Sequence, residues 1–335
     1  MLCEVLAKSR SKASHVLNAT TVRTFQFRIS ILSLGPLLLV ALLALSSPGA
    51  WAEQQKSCEQ TLQGKGAQAP STASSESVLD SAELRKIYQS VLADLPPRGD
   101  SPSISLILPA YREEKRLPRS IAKMQSFLDR HPLPLEILLV VEKSPDQTLG
   151  LARSLTEGDP RFVVIDNQVH RGKGYAVRSG VKKAKGDFVF FTDLDLSIPP
   201  EEMLKALSLL LSQPQVDMII GYRNLAEERS LIRQAFSWTF QYLALCIAGV
   251  PTSWDSQCGF KAFRWEVAQQ LFDEQRLDGF AFDVEVLALA RREGYEVYSQ
   301  TVPFFDQEGS TVHLLKDPPK MLMDLIRVRS SLLHN

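Results

Sequence analysis

The chain has 335 residues, enough for two domains or for one large domain with an appendage. Its 38 basic residues balance 38 acidic ones, so the overall charge gives no argument for a nucleic-acid partner. Cys3, Cys58, Cys246 and Cys258 are scattered and form no CxxC pair, which indicates neither a zinc site nor a disulfide framework.

Residues 1–28 are polar and basic, with Lys8, Arg10, Lys12, Arg23 and Arg28 against Glu4. Residues 29–48 are almost wholly apolar and carry no charge, and Ala50-Trp51-Ala52 follows. A basic flank, a long apolar run and an A-x-A ending form the pattern of a secretory signal. The run is also near the lower limit for a membrane span. A cleaved signal peptide and a single N-terminal anchor both fit. Residues 49–75, rich in Gln, Gly, Ser, Ala and Pro, read as a linker, and residues 76–335 as the folded domain.

That domain opens with a helical period over Glu76–Leu95, stopped by Pro96-Pro97. Strands are predicted at Ile104–Pro109, Leu135–Val141, Phe162–Ile165, Phe188–Phe191, Val216–Gly221 and Tyr295–Pro303. Helices are predicted at Leu117–Leu128, Gly174–Ala184 and Glu201–Leu211. Strand alternating with helix at these spacings implies βαβ units and a mostly parallel sheet covered on both faces. Residues 236–250 are apolar nearly all round and too short to span a membrane comfortably. A core helix and a helix lying in a membrane interface both fit. The final stretch, with Met321, Leu322, Leu325 and Val328 apolar and Arg327 and Arg329 charged, reads as amphipathic.

The chemistry centres on Phe188-Val189-Phe190-Phe191-Thr192-Asp193-Leu194-Asp195. A buried strand runs out into two carboxylates one residue apart, where open α/β sheets collect ligands. Such a D-x-D can place hard oxygens around one divalent cation that also holds a nucleotide's phosphates. In Arg171-Gly172-Lys173-Gly174, the glycines would let backbone N–H groups approach a phosphate before a helix start, and Lys173 adds charge. Arg233 and Ser237 fall on one helical face. Asp283 and Glu285, two apart on an expected helix, do not share a face and are not read as a catalytic pair.

Further stretches follow in a fixed order: Leu108-Pro109-Ala110-Tyr111-Arg112-Glu113-Glu114, Gly221-Tyr222-Arg223, Asp255-Ser256-Gln257-Cys258-Gly259-Phe260-Lys261 and Phe280-Ala281-Phe282-Asp283-Val284-Glu285. With the D-x-D and the Arg171–Arg178 and Asp324–Arg329 stretches, they resemble the inverting family 2 glycosyltransferases of GT-A fold. The dolichyl-phosphate β-glucosyltransferase branch is the most similar. The resemblance covers about Ser103 to Arg329. One stretch departs from it: where the family usually has V-D-D-G-S-x-D-x-T, this chain has Val140-Val141-Glu142-Lys143-Ser144-Pro145-Asp146-Gln147-Thr148. Gly309-Ser310-Thr311 and His313 stand where the branch usually has Gly-Ser-Lys.

The resemblance implies that Pro109 ends the first strand and that Pro109, Ala110, Tyr111 and Glu113 contact a uridine nucleotide. Glu142 keeps one acid for the base or ribose, and Lys173 meets the donor phosphates. Asp193 and Asp195 hold Mg²⁺ or Mn²⁺, Asp195 by direct ligation, while Asp193 also reaches the donor sugar or ribose. Arg223, with Arg233 and Ser237, grips an acceptor phosphate. Asp255 lies at the acceptor side, as a base or as an orienting group. The implied reaction transfers a hexose, glucose from UDP-glucose, to dolichyl or polyprenyl phosphate with inversion. Another sugar, a non-lipid acceptor, or nucleotide-sugar binding without catalysis are the alternatives. The implied location is a membrane with the catalytic domain on the cytosolic side, against the charge bias of residues 1–28, which would retain that flank in the cytosol.

Overall fold

In the computed structural model, the described residues are 81–96, 99, 101–223, 241, 243–245, 247–251, 253–305 and 323–329. The N-terminal basic region, apolar segment and linker lie outside them. So do Arg233, Ser237, Gly309-Ser310-Thr311 and His313. Among the described residues no helix is long and apolar enough to cross a membrane.

The elements in chain order are α1 (Ser81–Asp94), β1 (Ile104–Ala110), α2 (Leu117–Arg130), β2 (Leu135–Val141), α3 (Thr148–Thr156), β3 (Phe162–Asp166) and α4 (Lys173–Val181). They continue with β4 (Phe188–Phe191), α5 (Glu202–Ser212), β5 (Met218–Arg223), β6 (Lys261–Arg264), α6 (Trp265–Glu274), α7 (Phe282–Glu293) and β7 (Val297–Val302). Seven strands form one sheet in the order β3-β2-β1-β4-β6-β5-β7. β1 pairs in parallel with β2 and β4, β2 with β3, and β5 with β7. β6 alone runs antiparallel, between β4 and β5.

The strands read as unbroken apolar runs because both faces are buried, and the pleat deals alternate residues to each face. Ile104, Leu106 and Leu108 of β1, with Phe188 and Phe190 of β4, belong to one core cluster. Ile107, Val189 and Phe191 belong to the other. The first cluster is closed by α2, whose Leu117, Ile121, Met124, Phe127 and Leu128 repeat at helical spacing, and by α5. α1 adds Val91 to that cluster and packs on α5. The second is closed by α4, α6 and α7, and by Ala244, Ala248 and Val250. The described residues of the apolar 236–250 stretch thus pack into the core. Leu325 and Val328 of the last helical stretch are buried there too, while Met323 and Ile326 are exposed.

Two expectations change. Pro109 does not end β1, which continues through Ala110 in register with Val141. Carbonyl bonding alternates along β1: Ile107 accepts from Thr192 beyond β4, and Ala110 from Glu142 beyond β2. The nitrogen of Pro109 therefore faces the β4 side, where β4 has stopped at Phe191. No ladder bond is lost, so an interior proline is tolerated. Second, the sheet contains β6, a strand the apolar pattern did not announce, because its first residue is the fully buried Lys261.

Candidate active site

The carboxyl ends of β1, β4 and β5, the start of β6 and the first turns of α4 and α7 meet in one region. The antiparallel pairing sets Phe191 opposite Lys261, so the residues after β4 lie beside those before β6. Asp193 uses that proximity. A Cβ on Gly259 would stand 1.9 Å from Asp193 Oδ2, so the carboxylate rests against backbone that only glycine leaves open. Its other oxygen, Oδ1, lies 2.7 Å from Lys173 Nζ, the first residue of α4. The Asp193 side chain is nevertheless 45% exposed and open to a ligand.

Asp195 is held from within its own turn. Ser197 donates to Oδ1 from its backbone N–H at 3.0 Å and its hydroxyl at 2.8 Å. Oδ2 has Arg116 at 3.8 Å. Leu196, the next residue, takes a left-handed backbone (φ 50°), as do Arg112 (φ 57°) beside Tyr111 and Gln168 (φ 51°) near His170. Side chains other than glycine pay roughly 1 kcal/mol for this conformation. Three such residues in the loops after β1, β3 and β4 mark a surface whose backbone is set by more than local preference.

Lys173 also lies 4.0 Å from Asp283 Oδ2. Burial would lower the Lys173 ammonium, but Asp193 and Asp283 outweigh it and hold it above the ordinary lysine range. Asp283, in the first turn of α7, takes the buried Lys261 Nζ on Oδ1 at 2.5 Å, and Lys261 donates in turn to the Cys258 carbonyl at 2.8 Å. Glu285 is occupied elsewhere, accepting from the backbone of Arg276 and Leu277. The two acids of α7 serve different neighbours, as their spacing implies.

Arg223, at the end of β5, forks onto Asp255: Nε donates to Oδ2 at 2.6 Å and Nη2 to Oδ1 at 2.9 Å. Burial would lower the guanidinium, yet Asp255 overrides it, with help from Asp193, and keeps Arg223 firmly charged. Asp255 is buried and both its oxygens are engaged, the second also by the Gln257 N–H. The geometry makes it the anchor of Arg223 rather than an open base. Cys258 is within electrostatic reach of both, and burial pushes its thiol up to about 12.

The loop after β1 is supported by the departing stretch after β2. Asp146 accepts from the Ser144 hydroxyl at 2.5 Å and the Thr148 hydroxyl at 2.7 Å. Ser144 receives the Arg112 N–H, and Thr148 the Glu113 N–H. Glu113 is clasped by Arg116 at 2.8 and 2.6 Å. Burial raises its carboxyl and Arg116 opposes that rise, while Asp195 and Asp193 add to it, which places all three acids within electrostatic reach. The S-x-D-x-T stretch stood in the sequence as part of a departure from the family pattern, with nothing to announce that it carries the 112–113 backbone.

Glu142 is buried. It accepts the backbone N–H groups of Arg171 at 3.0 Å and Gly172 at 2.9 Å, and His170 Nδ1 at 2.7 Å. His170 in turn stacks on Tyr111, with centroids 3.7 Å apart and planes within 4°. The structure gives part of Arg171-Gly172-Lys173-Gly174 another use. The N–H groups of residues 171 and 172 serve Glu142, and that of Tyr175 serves the Asp278 carbonyl. The glycines are needed for packing: a Cβ at Gly172 would meet the Asp278 carbonyl oxygen at 2.5 Å, and one at Gly174 the Leu277 oxygen at 2.4 Å. What the loop presents is Lys173.

Of the residues singled out in the sequence, the structure brings Asp193, Asp195, Lys173, Glu113, Arg223 and Asp255 into one set of ion pairs and electrostatic neighbours. On the β1–β2 side, Tyr111 and Glu142 are joined through His170, and Pro109 and Ala110 close β1. Arg116 and His170 join the same network and were not singled out in the sequence, while Lys261 and Asp283 stood in the quoted stretches without a role in the site. Among the described residues, no three acids, histidines or cysteines converge as a preformed metal cage. Two aspartates with open oxygens remain a fitting donor set for a hard cation that brings its other ligands with it.

A strand-end carboxylate pair beside a lysine, in a mostly parallel mixed sheet, fits a glycosyltransferase of GT-A fold, and comparison with known proteins shows that class. Residues 105–298 match the family described as Glycosyl transferase family 2, and the chain belongs to it. The human dolichyl-phosphate beta-glucosyltransferase is 31% identical over 255 residues, covering 70% of this chain and 78% of that protein. The Saccharomyces cerevisiae protein of the same name is 28% identical over 251 residues (69% and 75%). Glucosyl-3-phosphoglycerate synthase from Mycobacterium tuberculosis, solved with Mn²⁺, UDP and glucosyl-3-phosphoglycerate, superposes with a TM-score of 0.56 at 16% identity, covering 77% of this chain and 86% of that one. Mannosyl-3-phosphoglycerate synthase from Rubrobacter xylanophilus gives 0.55 at 18%, covering 75% and 77%. At those identities the likeness is one of fold.

Proposed function

We propose that this glycosyltransferase moves glucose from UDP-glucose to dolichyl phosphate or another polyprenyl phosphate, in one in-line displacement with inversion, giving a β-linked lipid-phospho-sugar. The observation that carries the reading is the pairing of two features within electrostatic reach of each other. Asp193 and Asp195 with Lys173 suit a nucleotide diphosphate, and the buried Arg223–Asp255 fork suits a second, phosphorylated substrate. Relatives named for this activity cover most of the domain.

In this reading Asp195, braced by Ser197, would hold Mg²⁺ or Mn²⁺, and Asp193 would share the cation or meet the donor sugar. When bound, the cation neutralises charge that builds on the departing nucleotide. Pro109, Ala110, Tyr111 and Glu113 border the nucleoside. Glu142 supports that border through His170 and the 171–172 backbone. Lys173 meets the donor phosphates with its side chain. Arg223 keeps Nη1 outside its fork with Asp255 and turns it, with Arg233 and Ser237, to the acceptor phosphate. A phosphate monoester has its second pKa near about 6 and arrives mostly ionised, so the acceptor needs no strong base. Asp255 then orients Arg223 instead of taking a proton. The domain works at the cytosolic face of a membrane, where a lipid acceptor and the segment at residues 29–48, if retained, hold it.

The test is a panel of nucleotide sugars offered with a polyprenyl phosphate and Mn²⁺, read by product mass. A hexosyl-phospholipid from UDP-glucose above all other donors is expected. Transfer to a free hydroxyl acceptor, with none to the lipid phosphate, would overturn the assignment.

A further inference from the structure

Asp193, Lys173, Asp283 and Lys261 form a line of alternating charge in which the two lysines are not equivalent. Lys261 is fully buried and doubly fixed, on Asp283 Oδ1 and the Cys258 carbonyl. Lys173 stands between two acids, 2.7 Å from Asp193 Oδ1 and 4.0 Å from Asp283 Oδ2. The rings of Phe191 and Phe282 flank its ammonium, with centroids 6.0 and 5.9 Å away. It is also the first residue of α4, where the helix end is itself positive and a cation needs anionic company.

A cation held by Asp193 would bring a second positive charge to the carboxylate that holds this ammonium. Like charges brought together in a partly shielded site repel, which drives the lysine away. It cannot leave for the apolar rings alone, because a shielded ammonium without a counter-charge is costly. Asp283 lies one short side-chain movement away. Its partner Lys261 is pinned to backbone, so the carboxylate stays in place to receive a second ammonium.

We propose that Asp283 is a positioning residue: it takes over the Lys173 ammonium when Asp193 turns to the donor's cation, and so lets one lysine neutralise the site before the donor arrives and meet the donor's phosphates afterwards. The inference rests on the assignment of Asp193 and Asp195 to that cation.

The experiment measures Mn²⁺ binding without nucleotide or turnover, by the electron paramagnetic resonance of free Mn²⁺, on the full chain. Three variants are compared with wild type: K173M, the charge-neutral double D283N/K261M, and the triple K173M/D283N/K261M, each checked for folding by circular dichroism. K173M removes the competing ammonium and should bind Mn²⁺ about tenfold more tightly, the equivalent of one partly shielded ion pair. D283N/K261M removes the second berth and should bind about tenfold more weakly, although the local net charge is unchanged. In the K173M background the same double substitution should have no effect, since no lysine then needs the berth. A merely structural role for Asp283 would weaken binding equally in both backgrounds, and that result overturns the proposal. If the double variant does not fold, K173M decides: binding no tighter than wild type overturns it. D195N separates the two layers. If it binds Mn²⁺ as wild type does, the metal assignment fails and takes this inference with it. If it binds weakly while K173M is unchanged, only the inference on Asp283 fails.

Discussion

Gly259 and Asp193 touch in a way that no other residue at 259 permits: an added Cβ would lie 1.9 Å from the Asp193 carboxylate. The obstruction falls on the end of a half-exposed side chain rather than on backbone. Gly259→Ala should therefore fold normally and push the carboxylate off Lys173. Misplacement by about 1 Å at a reacting centre costs up to roughly a hundredfold in rate. We expect kcat to fall tenfold or more, by the same order-of-magnitude reasoning, with an unchanged melting temperature. A large drop in melting temperature would show that the glycine serves the fold instead.

Asp195→Asn should keep the fold and lose most turnover. Ser197 still finds an acceptor in the amide oxygen, but a neutral amide is a poor ligand for a hard cation. Raising Mn²⁺ should recover part of the loss. Rates equal to wild type at limiting Mn²⁺ would remove Asp195 from the metal site.

The Arg223–Asp255 fork is buried, with side-chain exposures of 10% and 3%. Arg223→Ala leaves a buried carboxylate without its cation and should destabilise the protein by about 3–5 kcal/mol in urea unfolding. Replacing both, as in R223M/D255L, should return much of that stability, because apolar isosteres often match buried ion pairs. Acceptor KM should stay raised in the stable double variant. If it returns to the wild-type value, the fork is structural and Arg223 does not face the acceptor.

Burial pushes the Cys258 thiol up to about 12. The folded protein therefore keeps a proton that an unfolded thiol loses near about 8.5. Stability from this source is complete below that pH and declines as pH rises toward 12. C258A should flatten the loss of melting temperature between about pH 8 and 10 relative to wild type. In the native protein, Cys258 should resist iodoacetamide at about pH 8, because the thiolate is the nucleophile. Rapid alkylation, read by peptide mass, would contradict the burial.

How far the sequence could be read follows from which interactions were local. β1, β2 and β4 were legible because parallel strands buried on both faces are continuous apolar runs. Asp193 and Asp195 stood out because two carboxylates one residue apart end a buried strand and because the stretches around them carried the resemblance. β6 was hidden because Lys261 opens it, and the charge that neutralises Lys261 comes from Asp283 on a different element. Gly172 and Gly174 suggested a phosphate cradle because glycine marks close approach without saying by what. The approaching group is the backbone at Leu277 and Asp278. Pro109 suggested a strand end because its missing N–H costs a bond only where a neighbouring strand continues, and β4 stops short.

The reversed direction of β6 has a consequence for how such a protein can diversify. The chain leaves the sheet at Arg223, returns at Lys261, and returns running backwards, so the segment before Lys261 is delivered to the residues that follow β4. The Asp193–Gly259 contact follows from the pairing of Phe191 with Lys261, two residues beyond Gly259. The excursion between Arg223 and Lys261 can change only where it leaves Gly259, Asp255 and the core residues Ala244, Ala248 and Val250 in place. In evolutionary terms, variation there is confined between fixed points while the register that sets the two aspartates stays locked.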